Sequence, residues 1–305
     1  MTTAKRLGMA EAIKTIGFVG LGTMGAPMAR NLIRAGFTVR AYDINAEAKA
    51  NLARDGAVAV NSPAEAAQGA DCTITMVPDS PHVEEALLGS NGIVQNLRKG
   101  AIHIEMSTIA PAATDRFIAA LGERGIDMVD APVGRSPQHA IEGKLLIMAG
   151  AAPSALERVR PVLERLGDTI VHCGTPGMGS RMKVVNNFMS VTITVTAAEA
   201  LTLAERSGLD PELARKVMLG TVAGQGPMST TYPAKVLRGD LSPGFMIDLA
   251  SKDLGLALDL AKEVGVPVPT AQAARPVYER ARQEGHGRED WSAIYAFLRN
   301  ERSKT

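Results

Sequence analysis

TIGFVGLGTMGAPMARNLIRAGFTVRAYD, residues 15–43, reads as a strand, a turn, a helix and a second strand. Thr15 to Val19 is an apolar run of strand length, Gly20, Gly22 and Gly25 follow at GxGxxG spacing, and Ala26 to Arg34 is helical up to Gly36. Thr38 to Tyr42 then delivers Asp43 about 20 residues past the first glycine. Three glycines alone could serve tight turns. Between a strand and a helix they have a mechanism: Gly20 allows the sharp turn, Gly22 lets the backbone approach a pyrophosphate, and Gly25 lets helix and strand pack closely. The helix's free amides then receive the phosphate charge. A carboxylate at Asp43 accepts hydrogen bonds from both adenine-ribose hydroxyls and repels a 2′-phosphate, and Ile44 and Asn45 supply no arginine for one. The unit predicts a dinucleotide site for NAD(H) rather than NADP(H); Asp43 as a plain turn former is the alternative.

The same alternation continues outward. Strands are expected at Ala57–Val60, Cys72–Val77, Ile102–Met106, Met128–Val129 and Leu145–Met148, with a capped helix starting at Ser62-Pro63. About eight strands in a mostly parallel sheet, with helices on both faces, follow. Ligands of such sheets bind outside the carboxyl ends of the strands. Val77-Pro78 and Ser107-Thr108 sit at two of those ends, although Thr108 could simply shape a turn. Asp130-Ala-Pro-Val-Gly-Arg135-Ser136 is a loop whose guanidinium either grips an oxyanion or pairs with a nearby acid on the surface.

GTPGMGSRMKVVNNFMS, residues 174–190, closes the strand pattern and opens a helix running to about Arg206. Lys183, Asn186, Asn187 and Ser190 share one stripe at i, i+3, i+4 and i+7, with valine, phenylalanine and methionine on the other faces. Such a helix is expected to be buried. A lysine among apolar side chains either exchanges protons near neutral pH or sits in a structural ion pair. Further helices are expected over residues 211 onward, 231–238, 246–263, 271–284 and 291–300. The fold class is therefore α/β: a Rossmann-type doubly wound sheet over residues 15–176, preceded by an extension of 14 residues and followed by an all-helical domain over 177–305, joined by a long helix. Exposed apolar faces on that helix predict a homodimer or homotetramer. Lys252 and Asp253 lie in an apolar helical run, as a second charge near a cleft or as a solvated face.

Composition narrows the function. The chain has 305 residues, 46% of them hydrophobic and 21% charged, with net charge +1, which gives no case for nucleic acid or an anionic membrane as partner. No unbroken apolar run approaches the roughly 18 residues of a span, and no secretory signal is visible. Two distant cysteines, Cys72 and Cys173, read as buried thiols of a reducing, cytoplasmic compartment. The five histidines are scattered and predict no metal site.

Four motifs in order resemble the beta-hydroxyacid dehydrogenase family: GLGTMGAPMARNL from Gly20, DAPVGRSPQHAIEGKL from Asp130, GTPGMGSRMKVVNN from Gly174 and KDLGLALD from Lys252. The resemblance implies a Rossmann-type domain and a helical domain joined by a long helix. It implies oxidoreductase chemistry on a small anionic substrate with NAD(H), Lys183 as catalytic acid/base and Asn186 as its partner. It also implies Arg135, Asn186, Asn187 and Ser190 at the substrate, with Ser107 and Ser136 beside them, and Thr23, Met24, Asp43, Val77, Pro78, Thr108 and Lys252 at the cofactor. One departure stands out. Most members have a second glycine where this chain has Arg135, so a full positive charge faces the question of a sulfonate or carboxylate end.

Overall fold

The computed structural model describes residues 12–300, without the side chains of Val191, Thr194, Lys252, Asp253, Leu256, Leu260 and Glu263. The N-terminal extension apart from its last three residues therefore lies outside the described residues. The chain divides into two compact units within one helix, after Asn187.

The first unit alternates strands and helices: β1 (Thr15–Val19), α1 (Gly25–Arg34), β2 (Thr38–Tyr42), α2 (Ala46–Arg54), β3 (Val58–Ala59), α3 (Pro63–Ala67), β4 (Cys72–Thr75), α4 (Ser80–Leu88), β5 (Ile102–Glu105), α5 (Pro111–Gly122) and β6 (Asp127–Asp130). There follow β7 (Val133–Gly134), α6 (Pro137–Glu142), β8 (Leu145–Gly150), α7 (Pro153–Leu163), β9 (Gly167–Gly174) and α8 (Met178–Arg206). The described residues form a nine-stranded sheet in the order β3-β2-β1-β4-β5-β6-β8-β7, with β9 beside β8. β3 through β6 run parallel, whereas β8 pairs antiparallel with β6 and β7. Strand period decides the layers. Ile16, Phe18, Cys72, Ile74, Ile102 and Ile104 point into one core with Met28 and Leu32 of α1. Val19 and Met128 turn to the opposite face, where Val83 and Leu87 of α4 and Phe117 of α5 close the other core. Each face is thus covered by helices, as a parallel sheet requires.

Two local differences from the sequence reading have simple causes. Val133–Gly134, read as loop, makes a two-residue ladder with Leu146 and Ile147 of β8. β9 lacks the apolar density of the central strands, because it lies at the sheet's margin and several of its side chains stay exposed.

The second unit, taken alone, is helical: the remainder of α8, then α9 (Pro211–Leu219), α10 (Val222–Gln225), α11 (Thr231–Ala234), α12 (Ile247–Glu263), α13 (Pro269–Ala281) and α14 (Ile294–Asn300). Ile247, Ala281, Ala293 and Phe297 form one small core, and Ala261, Val266 and Val268 another. Glu199 of α8 accepts the Thr270 N–H at 2.9 Å and so closes the first turn of α13.

The expected burial of α8 needs correction. Val184, Val185, Phe188, Ile193 and Val195 are exposed, Phe188 to 72%. Exposed apolar side chains in such number on one helix are unusual for a helix of a packed core. By length and mean apolarity α8 also meets the minimum for a bilayer span. Its first turns, however, are tied to the sheet domain by the bonds described below. Cys72 is buried, but Cys173 is only half-buried, so the pair of buried thiols reduces to one.

Candidate active site

At the end of β1 the Gly20 backbone adopts φ +98°, and a Cβ there would run into the Met76 carbonyl. A Cβ on Gly25 would strike the Gly20 carbonyl. Those two glycines are demanded by the turn itself. Gly22 is different: nothing lies within 4 Å of its hypothetical Cβ. No packing reason requires a glycine at that point, whereas close approach of a phosphate does. The first turn of α1 carries no acidic residue to compete for its amides. Asp43 joins the loop to the next strand, accepting the Leu21 N–H at 2.6 Å and the Asn45 N–H at 2.7 Å.

These groups border a cavity of about 600 Å³. It brings together the predicted Gly20, Gly22, Thr23, Met24, Gly25, Asp43, Val77 and Pro78. Its far wall, with Asn61, His82, Glu85 and Asn91, was not foreseen. Only Ser62-Pro63 hinted at it, and they were legible merely as a helix cap. Ile44, 91% exposed, also borders the cavity. An isoleucine left in water at this edge suits the apolar face of a purine. The open glycine, the acid-free helix start and the ribose-side carboxylate fit NAD(H).

Thr108 is exposed but does not border that cavity. Ser107 is only 3% exposed, and its Oγ accepts the Val77 N–H at 2.9 Å. That bond ties Ser107 to a cofactor-side loop and leaves its hydroxyl hydrogen uncommitted. Lys252 lies within α12, and its side chain is outside the described residues.

Lys183, Asn186 and Asn187 stand on one stripe of α8 in the first unit, and Ser190 follows just past the boundary in the second. Lys183 is half-buried, and burial pulls its ammonium pKa below the usual value. Burial is the one cause of that shift, and no carboxylate pairs with Lys183 among the described residues. Asn186 Nδ2 donates to Asn187 Oδ1 at 3.3 Å. The stripe is anchored from its N-terminal end. Asp130, at the end of β6, accepts the N–H groups of Gly177 at 2.6 Å and Ser180 at 2.7 Å. Burial pushes the Asp130 carboxyl up to about 6, against the opposing pull of those two amides. Arg181 forks onto Asp115 at 2.7 and 3.0 Å, and Thr114 Oγ1 meets Ser180 Oγ at 3.1 Å.

Arg135 takes φ +74°, alone among the non-glycine described residues in the left-handed region. This explains why a glycine suits the position and what the side chain costs, about 1 kcal/mol of backbone strain. Its Nη1 donates to Asp168 at 2.6 Å and to the Lys144 carbonyl at 2.5 Å, and Nη2 to Thr169 Oγ1 at 3.1 Å. The surface pairing weighed from the sequence is therefore what the structure shows. Ser136 Oγ lies 2.8 Å from His139 Nδ1 in the same exposed loop.

Residues 15–174 match the family model described as the NAD binding domain of 6-phosphogluconate dehydrogenase. Residues 177–298 match that of the NAD-binding domain of NADP-dependent 3-hydroxyisobutyrate dehydrogenase. This chain belongs to the 3-hydroxyisobutyrate dehydrogenase (beta-hydroxyacid dehydrogenase) family. It is 48% identical to a 3-sulfolactaldehyde reductase of Escherichia coli, over 93% of this chain and 95% of that one. It is 38% identical to a 2-(hydroxymethyl)glutarate dehydrogenase of Eubacterium barkeri, over 94% and 95%. Among solved structures, a 3-hydroxyisobutyrate dehydrogenase of Mycobacterium tuberculosis with L-serine aligns at TM-score 0.66 and 34% identity, covering 94% of this chain and 99% of that one. As a beta-hydroxyacid dehydrogenase, the protein is an NAD-dependent oxidoreductase acting on a hydroxyl or the corresponding carbonyl group. The residues that line the cavity at β1 and α1 all lie within the stretch matched by the NAD binding domain model.

Proposed function

We propose that the chain reduces a small anionic aldehyde with NADH, reversibly, and that the physiological pair is 3-sulfolactaldehyde and 2,3-dihydroxypropane-1-sulfonate, as a step of sulfoglycolysis in the cytoplasm. The observation that carries this reading is the 48% identity, along nearly the whole chain, to a protein named for that substrate. In this reading residues 15–176 bind the cofactor, with Asp43 favouring NADH over NADPH. Residues 177–305 complete the substrate site and cover the apolar faces of α8 against a second copy, as a homodimer or homotetramer.

Bound NAD(H) supplies or accepts the hydride. The rest falls to side chains. In reduction, Lys183 as ammonium gives a proton to the oxygen of the aldehyde and stabilises its growing charge beforehand. A lowered pKa makes that proton easier to give. In oxidation, neutral Lys183 takes the hydroxyl proton. Asn186 orients the oxygen, while Arg135, Ser136, Asn187 and Ser190 hold the anionic end. Thr23, Met24, Val77, Pro78, Thr108 and Lys252 hold the cofactor.

Lys183→Ala is expected to lower kcat about 10²–10⁴-fold while the NADH dissociation constant, read by fluorescence titration, stays at the wild-type value. In wild type the reduction rate should fall as pH rises through a Lys183 pKa below the ordinary 10.5, and oxidation should rise over the same interval. Full turnover in Lys183→Ala overturns the assignment.

A second reading, a carboxylate substrate such as 3-hydroxyisobutyrate or succinic semialdehyde, is favoured by the bonds that Arg135 makes to Asp168 and Thr169. Those bonds brace a loop and put an acid beside the proposed anion grip. Comparing kcat/KM for 3-sulfolactaldehyde and succinic semialdehyde, in wild type and Arg135→Gly, separates the two. The sulfonate reading expects Arg135→Gly to lose roughly 10–100-fold on sulfolactaldehyde. Wild-type preference for the carboxylate rejects it.

A further inference from the structure

Strands β4 and β5 hold, between the two core faces, a run of polar groups for which the reaction above has no use. Thr73 lies opposite His103 and Thr75 opposite Glu105 in the parallel register. All four are at most 1% exposed, on the strand face opposite Ile74 and Ile104. Burying four such groups in a sheet interior is costly unless every donor and acceptor is matched. Here they are matched in sequence. Thr73 Oγ1 lies 2.9 Å from His103 Nδ1, and Thr75 Oγ1 lies 3.1 Å from His103 Nε2. Thr75 Oγ1 also donates to Glu105 Oε2.

A hydroxyl has one hydrogen. Thr75 gives its hydrogen to Glu105, so toward His103 it can only accept. His103 then carries a hydrogen on Nε2, and in the neutral ring Nδ1 takes the Thr73 hydrogen. All the donors point one way, toward the carboxylate. Beyond it the run continues into the loops that border the cavity. Glu105 Oε1 accepts the Ser107 N–H at 2.7 Å, and Ser107 Oγ accepts the Val77 N–H at 2.9 Å. A parallel tie, Ala110 N–H to Ser80 Oγ at 3.1 Å, joins the same two loops a few residues on. Val77 and Pro78 are cavity wall.

We propose that the buried run Thr73–His103–Thr75–Glu105–Ser107 is a positioning device for the cofactor wall, in which Glu105 fixes Ser107 and Ser107 fixes the backbone at Val77. In this role Glu105 and Ser107 are positioning residues that act through Val77. The device rests on the NAD(H)-binding role of the cavity. It also makes a structural prediction that mere core filling does not: the direction of the hydrogen bonds is set by the acceptor at position 105. A glutamine there must still offer its carbonyl oxygen to Ser107 N–H. Its amide then donates to Thr75, the Thr75 hydrogen turns to His103 Nε2, and the His103 hydrogen moves to Nδ1, facing Thr73.

The test uses NADH titration by fluorescence and ¹⁵N NMR of histidine-labelled full-length protein. Ser107→Ala should raise the NADH dissociation constant roughly tenfold, with Ser107→Thr recovering most of the loss, since its hydroxyl can still accept from Val77. Glu105→Leu should raise it similarly, with Glu105→Gln recovering most of that and reversing the His103 tautomer from Nε2–H to Nδ1–H. If Glu105→Leu does not fold, the serine pair and the tautomer of Glu105→Gln still decide. An unchanged dissociation constant in Ser107→Ala, or an unchanged tautomer in Glu105→Gln, overturns the proposal alone. Wild-type protein that fails to bind NADH overturns the cofactor reading and the proposal with it.

Discussion

Two helices of the first unit begin in the same kind of sequence and are used in opposite ways. GLGTMG leads into α1, and GTPGMG leads into α8. At α1 the helix start faces a cavity, with empty space around Gly22 and no acid in the first turn. At α8 the chain supplies its own anion. Asp130 takes the amides of Gly177 and Ser180, and a Cβ on Gly179 would strike the Met148 and Asp130 carbonyls. Helix N-termini attract negative charge in either case. What differs is whether the charge comes from outside or from 47 residues back along the chain. A glycine-rich start therefore announces an anion without saying whose it is.

That contrast can be broken or sharpened by substitution. The largest effect is expected at Gly179→Val, which forces backbone apart where β6, β8 and α8 meet and should cost about 3 kcal/mol or more in urea unfolding. A variant as stable as wild type would show that α8 is not seated as described. Asp130→Ala comes next, stranding two buried amides at about 1–3 kcal/mol each. Asp130→Asn, which keeps one acceptor oxygen, should recover part of the loss.

The pH dependence is a subtler measure of the same seat. Burial raises the folded-state pKa of Asp130 from the ordinary 3.8 to about 6. A carboxyl shifted upward helps the folded state when protonated. Its contribution is full below pH 4 and fades as pH rises through about 6. The stability of wild type relative to Asp130→Asn should therefore decline between pH 4 and pH 6.5, and a rise over that interval would contradict the assignment. The smallest effect on folding belongs to the open helix start. Gly22→Ala should leave the unfolding midpoint unchanged yet weaken NADH binding roughly tenfold, and a loss of stability without loss of affinity would reverse the contrast.

The α1 start was readable in the sequence because everything it needs is local: one strand, three spaced glycines, a helix and Asp43. The capping of α8 was not. Its decisive contact joins residues in β6 and α8, and nothing in either stretch alone marks them as partners. Arg135 shows the same limit from another side. Its charge was legible, but its partner Asp168 lies on β9, a marginal strand without the dense apolar run that marked the central ones. The polar run through His103 and Glu105 escaped for a further reason. IHIE alternates like any strand, and only the register against CTIT reveals that its polar residues meet one another. Lys183 stood out on its helix, yet the apolar faces beside it read as core when several of their side chains are exposed.

The left-handed backbone at Arg135 implies an asymmetry in how this loop can change. Glycine there relaxes the main chain by about 1 kcal/mol but gives up the bonds to Asp168, Lys144 and Thr169, so the sign of its effect on folding depends on what those bonds contribute. A charged side chain persists there only while something it does repays the discomfort, whether bracing β9 or holding a ligand. The position is thus a natural gauge of selection on the loop: measured stability should rise on Arg135→Gly if ligand binding was the reason, and fall if the brace was.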